Sequence, residues 1–454
     1  LLHACSKRFA YGQSITPDLR VTDHTPPNRR KYMKERIHKF KQADSFILLD
    51  VNSGAVHVVD EMIYDIMDIF NGENDGETLR AMKGRYPKAE IEEALEELHT
   101  LMAAKELFAP DIDVPPTFAE TGLVKSMCLM VAHDCNLRCK YCFGDTGEYG
   151  GGRQLMTKEV GEAAIDYIIA GSGPRIHCEV DFFGGEPLVN MPVVEHVTAY
   201  VRRRENETGK KFKLTLTTNG LLLNEKNQKF LDDNNISLVL SLDGRREVHD
   251  RMRPDAAGRG TYDRILPNFQ RTVADRGGNN YYLRGTYTKY DLDFTDDVLA
   301  MHDAGFDVLS MEPVVAKDAP YAIEEEDLPR IYAEYDRLAA AYMERHRAGH
   351  GFFFFHFNMD LSNGPCVAKR LSGCGAGHEY YAVAANGDLY PCHQFVGRDR
   401  YRLGSVFTGV TSPDIPPYFR ESHVLNKPKC RDCWARFFCS GGCHANADLF
   451  HGNI

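Results

Sequence analysis

Between about residues 122 and 315, short apolar runs alternate six times with segments of helical period, and this alternation constrains the fold more than any other feature of the chain. The runs are KSMCLMVA, CEVDFFG, KLTLTT, SLVLSLD, YYLRGTYT and FDVLSME. Segments such as KEVGEAAIDYIIAG and VEHVTAYVRRR lie between them, with apolar residues at helical spacing. Alternating strands and helices imply a parallel sheet, because a crossover helix packs back onto a right-twisted sheet in only one sense. Six units rather than eight predict an α/β fold, a partial (β/α)6 TIM-type barrel over 111–350 with its functional groups at the carboxyl ends of the strands.

The flanks read differently. Residues 1–33 show neither period and are expected to be a disordered extension. From 34 to 110, SFILLDV and GAVHVVD joined by Asn52-Ser53-Gly54 predict a hairpin, followed by three helices. Met62, Ile63, Ile66, Met67 and Phe70 mark the first helix, ETLRAMKGRY the second, and Ile91, Leu95, Leu98 and Met102 the third. That makes a winged-helix-like module. The third helix carries Glu90, Glu92, Glu93, Glu96 and Glu97, which repel phosphate, so a peptide partner adding a strand to the hairpin is expected rather than DNA. Residues 351–454 form a cysteine-rich tail that stops at Ile454 without a cap, so a truncated carboxyl end is expected.

A net charge of -11 gives no general attraction for nucleic acid. Of 13 cysteines, all but Cys5 fall within Cys128–Cys178 or Cys366–Cys443, many too close in sequence to pair with one another. Clustered cysteines of this kind read as metal ligands in a reducing compartment. With no apolar run of membrane-spanning length and no signal segment, a cytoplasmic protein without membrane contact is expected. Cys128 and Cys178 sit within apolar runs and read as small buried hydrophobes.

Directly after the first strand stands HDCNLRCKYCFG, which spaces Cys135, Cys139 and Cys142 as CxxxCxxC with Tyr141 before the third. Three thiolates on a four-iron cluster leave one iron open, as a cluster that also binds a reactant requires. Structural zinc and plain buried thiols are the bland alternatives. After the second strand come Gly184, Gly185, Glu186 and Pro187, where glycines permit close backbone approach and Glu186 is suited to an ammonium group. Thr218-Asn219-Gly220 follows the third strand, and Ser241-Leu242-Asp243-Gly244, whose polar groups suit ribose hydroxyls, follows the fourth. Simple capping turns are the competing account of each. Arg284 and Glu312 are weaker candidates, explained nearly as well by a salt bridge at the edge of the core.

CxxxCxYC, GGEP and SLDG in this order on six βα units resemble the radical S-adenosylmethionine (SAM) superfamily. The resemblance implies that Cys135, Cys139 and Cys142 hold a 4Fe-4S cluster that chelates SAM and cleaves it reductively to a 5'-deoxyadenosyl radical. It also implies that Tyr141, Gly184, Gly185, Glu186, Pro187, Asn219, Ser241, Asp243 and Arg284 line the cofactor site. The tail layout of Cys374, Gly387, Cys392, Cys430, Cys433, Cys439 and Cys443 resembles the SPASM extension of radical peptide maturases, which houses two auxiliary 4Fe-4S clusters. By position, Cys374, Cys392 and Cys443, with or without Cys366, serve the nearer cluster, and Cys430, Cys433 and Cys439 the farther one. The family's final cysteine is missing here, which leaves the farther cluster one ligand short. A four-cysteine zinc ribbon in a zinc-stabilised binding protein is the non-enzymatic alternative.

With IHKFKQADSFILLDVNSGAVHVVDE at its start, the whole most resembles the maturases of six-cysteines-in-forty-five (SCIFF) peptides. That resemblance implies an oxidoreductase that forms thioether crosslinks in a cysteine-rich precursor peptide held by its leader. It implies a reductase, flavodoxin or ferredoxin as electron donor. Another SPASM enzyme, such as an anaerobic sulfatase-maturing enzyme, is the alternative within the superfamily.

Overall fold

The computed structural model describes residues 36–42, 44–114, 122–359, 361 and 370–454. The expected extension at 1–33, with Cys5, and also Cys366 lie outside the described residues. Two compact units emerge, one built from 36–114 with 361 and 432–438, the other from 122–359, 370–431 and 439–454.

In the first unit the sheet has the order β1-β2-β3, with β1 Ile37–Gln42, β2 Ser45–Asp50 and β3 Val56–Val59, all antiparallel. The β2–β3 turn is the one expected: buried Asp50 accepts hydrogen bonds from the amides of Asn52 (3.1 Å) and Ser53 (2.8 Å). Helices α1 Glu61–Ile66, α2 Asp75–Met82 and α3 Lys88–Ala103 follow, the first two capped by Asp60 and Asn74. In α3, Ile91, Ala94, Leu95 and Leu98 face the core, while the five glutamates lie on the exposed side.

The expected two-stranded hairpin is one strand too few. IHKFKQ forms β1 and occupies the outer edge of β2, so a peptide strand has no access to β2; β3 is the edge that remains on the hairpin. A lysine-rich segment takes this place because its stems cover aromatic rings. The Lys39 ammonium lies 4.1 Å from the Tyr64 ring centroid and that of Lys41 4.4 Å from that of Phe46. Residues 432–438 complete the unit: the Trp434 ring stacks on His38 at 4.1 Å, and Arg436 donates a hydrogen bond to Asn52.

The second unit is built on a twelve-stranded sheet. The six expected strands appear in sequence order as β4 Ser126–His133, β6 His177–Gly184, β7 Lys211–Thr218, β8 Ser237–Ser241, β9 Tyr281–Tyr287 and β10 Val308–Pro313, each parallel to its neighbour. The sheet continues past them on both sides. β11 Phe353–Phe354 joins β10, β12 Tyr380–Val383 joins β4 in parallel, and β13 Asp388–Tyr390, β14 Gly404–Ser405 and β15 Gly409–Val410 follow antiparallel; the short β5 Gln154–Leu155 pairs with β4.

Helices α4 Lys158–Gly171, α5 Met191–Thr208, α6 Glu225–Asp233, α7 Arg246–Met252, α8 Tyr262–Asp275, α9 Phe294–Asp303 and α10 Leu328–Arg347 connect and cover the parallel strands. Leu129, Val131, Val180, Phe182, Leu214, Leu216, Leu240, Leu283, Leu309 and Met311 project into the core against them, each buried residue of this kind stabilising the fold by about 1.5–3 kcal/mol. Alternate residues face the other way, so Met130, Asp181, Phe183, Thr215, Ser241, Arg284, Ser310 and Glu312 share the inner face. No described helix is long and apolar enough to cross a membrane.

Candidate active site

The cysteine loop leaves β4 and is pinned at two levels. Its amides at Arg138 and Lys140 donate to the carbonyls of Pro254 (2.8 Å) and Met252 (2.9 Å), and Gly185 and Glu186 at the end of β6 donate to the carbonyls of Ala132 (2.8 Å) and Asp134 (2.9 Å). A Cβ on Gly185 would lie 2.2 Å from the Asp134 carbonyl oxygen and 3.0 Å from the Cβ of Cys135. What the glycine pair admits is therefore the backbone of the cysteine loop itself.

Three thiols crowd this loop. Burial pushes Cys135 up to about 12, with the charge of Glu186 adding to the rise. Burial pushes Cys139 up to about 11 against the pull of Arg253, and it also raises Cys142 against the Gly144 amide. The three lie close enough that Cys139 and Cys142 each raise Cys135 further. Such thiols stay protonated alone and ionise only against a strong positive charge, which is what a polynuclear iron site supplies. Among the described residues no three His, Cys, Asp or Glu side chains converge on a single ion, and a cube spreads its ligands over separate irons. The donor set fits a cluster.

The flanking motifs build a buried polar frame around the thiols. Glu186 is 1% exposed, and its carboxylate accepts from the Thr218 hydroxyl (2.8 Å), the Asn219 amide (2.8 Å) and the Leu188 amide (3.1 Å). Burial raises it to about 7 in spite of those bonds. Pro187 opens the short helical turn that Glu186 caps. Asn219 reaches back to the loop, donating to Asn136 Oδ1 at 2.7 Å and lying 3.7 Å from the Cys135 sulfur. Asp243 accepts from Tyr141 (2.5 Å) and from the Thr286 amide (3.1 Å), and it lies 3.5 Å from the guanidinium of Arg253. Arg253 also donates to the Tyr141 hydroxyl at 3.0 Å. Ser241 and Arg284 face each other in register on β8 and β9, Ser241 half-buried and Arg284 exposed.

The structure therefore brings Tyr141, Glu186, Asn219 and Asp243 together around the cysteine loop, with the carboxylates of Glu186 and Asp243 already engaged by the chain's own donors. Arg253 was not foreseen from the sequence. It is 8% exposed, and its Nε has no hydrogen-bond partner among the described residues, so one donor of a buried cation remains for an anionic ligand.

A second group of thiols lies in the same unit. Burial pushes Cys392 up to about 12, with Cys374 and Cys443 raising it further, and burial also raises Cys374, with Cys443 adding to it. The three expected at the nearer auxiliary site thus meet, and Gly387 forms the β12–β13 turn between two of them. Of the farther set, Cys433 belongs to the first unit and Cys430 and Cys439 to the second. Phe143, next to Cys142, lies 5.4 Å ring to ring from His393, next to Cys392, with Phe183 beside both.

A family model described as a 4Fe-4S single cluster domain matches residues 121–266. A cysteine-type anaerobic sulfatase-maturating enzyme of Clostridium novyi is 23% identical over 348 residues, spanning 72% of this chain and 90% of the relative. Streptococcus suis SuiB, solved with S-adenosylmethionine, superposes with a TM-score of 0.52 at 17% identity, over 92% of this chain and 96% of SuiB; its complex with the precursor peptide SuiA gives 0.53 at 16%, over the same shares. The radical SAM cyclopropyl synthase TigE of Paramaledivibacter caminithermalis is 31% identical over 358 residues, spanning 74% of this chain and 71% of that protein. With the thiol loop, its frame and these likenesses in agreement, the chain belongs to the radical SAM family and has the fold of its SPASM-type maturases.

Proposed function

We propose that this enzyme oxidises a cysteine-rich precursor peptide, forming thioether crosslinks while the peptide is held by its leader. The observation that carries the radical step is the loop of three mutually sensed thiols beside a buried guanidinium with an unclaimed donor. Cys135, Cys139 and Cys142 would hold the 4Fe-4S cluster, and SAM bound there supplies a 5'-deoxyadenosyl radical. In this reading Arg253 takes the carboxylate of the cofactor, Ser241 faces its ribose, and Asp243 with Tyr141 fixes the guanidinium. Glu186 and Asn219 hold the loop in shape rather than gripping the ligand, because their groups are spent on Thr218, Leu188 and Asn136.

Making a carbon-sulfur bond from C-H and S-H removes two electrons. One leaves with the abstracted hydrogen atom, and the other needs an acceptor. Cys374, Cys392 and Cys443 supply a soft ligand set for an auxiliary cluster in that role. The leader is expected along the β3 edge of the first unit, where Val58 is 73% exposed. An electron donor of the flavodoxin or ferredoxin kind completes the scheme.

A sulfatase-maturating activity is favoured by the likeness to the Clostridium novyi enzyme, and a cyclopropane-forming one by the likeness to TigE. Mass spectrometry after anaerobic reconstitution with SAM, dithionite and a cysteine-rich peptide separates the three. A thioether removes two hydrogens and one alkylatable thiol, a carbon-carbon ring removes two hydrogens and spares every thiol, and conversion of cysteine to an aldehyde removes sulfur. Retention of all thiols in a peptide that has lost hydrogens would overturn the thioether reading.

A further inference from the structure

Oxidation of this kind leaves a proton behind whichever product forms, and the mouth of the barrel holds a carboxylate–imidazole pair placed to take it. Glu186 and Asp243 are both 1% exposed, and each is bonded by several of the chain's own donors. Asp181 lies deeper on the inner face of β6, two residues below Phe183 and in register with Cys128 and Thr215. Glu312 is different. It is the penultimate residue of β10, in register with Thr286, whose amide bonds Asp243 at 3.1 Å, so it stands in the same layer as the frame of the cysteine loop.

Its surroundings form a relay. Glu312 accepts from the Ser310 hydroxyl at 2.5 Å, and His356 Nε2 lies 3.3 Å from its other oxygen; His356 Nδ1 lies 2.9 Å from the Tyr335 hydroxyl on α10. Glu312 and His356 are each 25% exposed, open to the inner face but not to bulk water on all sides. From β9, Arg284 and Tyr282 share the face of the carboxylate, and Tyr287, stacked on Phe294, lies near enough for its charge to be felt. Burial alone would raise Glu312, but His356, Ser310 and Arg284 hold it down to about 2, so it stays ionised and stabilises a proton taken up on the His356 ring beside it.

We propose that the Glu312–His356 pair is the proton acceptor of the oxidation, an inference that rests on the function proposed above but not on the thioether in particular. For a thioether the balance is as follows. The substrate C-H bond breaks with its hydrogen atom passing to the 5'-deoxyadenosyl radical; the S-H bond breaks with its proton passing to Glu312–His356, which gains one positive charge. The carbon-sulfur bond forms, and the remaining electron passes to a one-electron acceptor, an auxiliary iron-sulfur cluster. For a carbon-carbon ring the proton comes from carbon instead, and the same pair receives it.

The test compares reconstituted wild type with Glu312→Gln, Glu312→Asp, Glu312→Gly and His356→Gln, scoring oxidised peptide formed per 5'-deoxyadenosine. Glu312→Gln is expected to lower that ratio about a hundredfold, in the range proton transfer contributes, with deoxyadenosine still formed. Glu312→Asp restores most of it, and added formate restores Glu312→Gly, a result that a purely structural role does not give. The residual ratio in Glu312→Gln rises with pH as solvent base substitutes. In metal-free protein, peptide affinity and melting temperature stay at wild-type values. An unchanged ratio in Glu312→Gln, or a loss of peptide binding equal to the loss of product, overturns the proposal. Because the ratio is read on whichever product forms, thiol loss in wild type tests the crosslink and the variant ratio tests the acceptor.

Discussion

The two thiol groups of the second unit have the same element and count but different company. Around Cys135, Cys139 and Cys142 stand ionisable partners in a closed frame, Asp243, Arg253, Tyr141 and Glu186. Around Cys392 the polar contacts are the backbone amides of Gln394 and Phe395, burial lowers the adjacent His393 to about 4, and Lys125 near Cys374 is held by Glu379 at 3.2 Å. A site that must recognise a zwitterionic cofactor needs an unspent cation and fixed carboxylates. A site that only stores an electron needs burial and sulfur. The difference supports the proposal that the first serves bond cleavage and the second electron traffic.

Alanine at Cys135, Cys139 or Cys142 should break this distinction completely, reducing 5'-deoxyadenosine formation to background. Cys392→Ala should sharpen it, because SAM cleavage persists while oxidised peptide falls by about a hundredfold, as measured on the same reaction mixture. Arg253→Met should weaken SAM binding by about 1.5–3 kcal/mol, the worth of a hydrogen bond to a charged group, with no change in the visible absorbance of the auxiliary site. Gly185→Ala should cost about 1–3 kcal/mol by overpacking Asp134 and Cys135, seen as a lower melting temperature and lower iron content. Val58→Asp on the β3 edge should act least, weakening leader binding by about 1 kcal/mol and leaving SAM cleavage intact.

The barrel was legible because each of its six strands is an apolar run bounded by a turn, and a strand buried on a helix-covered face writes itself that way. The cysteine loop was legible from its spacing, while the grouping of the tail thiols came from the family resemblance, since their spacing alone also suits a zinc ribbon. β1 was not, since IHKFKQ gains its place by covering Tyr64 and Phe46 with lysine stems, a tertiary effect with no local signature. β11 and β12 have two and four residues, too short to show a period. Glu186 read as a ligand contact because GGEP follows a strand, whereas its bonds from Thr218 and Asn219 join residues distant in sequence and are visible only in the fold. Arg253 was hidden because nothing local distinguishes a buried arginine from a solvated one.

The stacking of Trp434 on His38 and the bond from Arg436 to Asn52 have a consequence for biosynthesis. A ribosome delivers the amino-terminal sheet early, yet seven residues of that unit, 432–438, arrive after nearly the whole barrel has been made. The first-born part of the protein is thus finished last, and a chain whose tail has not yet emerged lacks the Trp434 and Arg436 contacts that complete this unit.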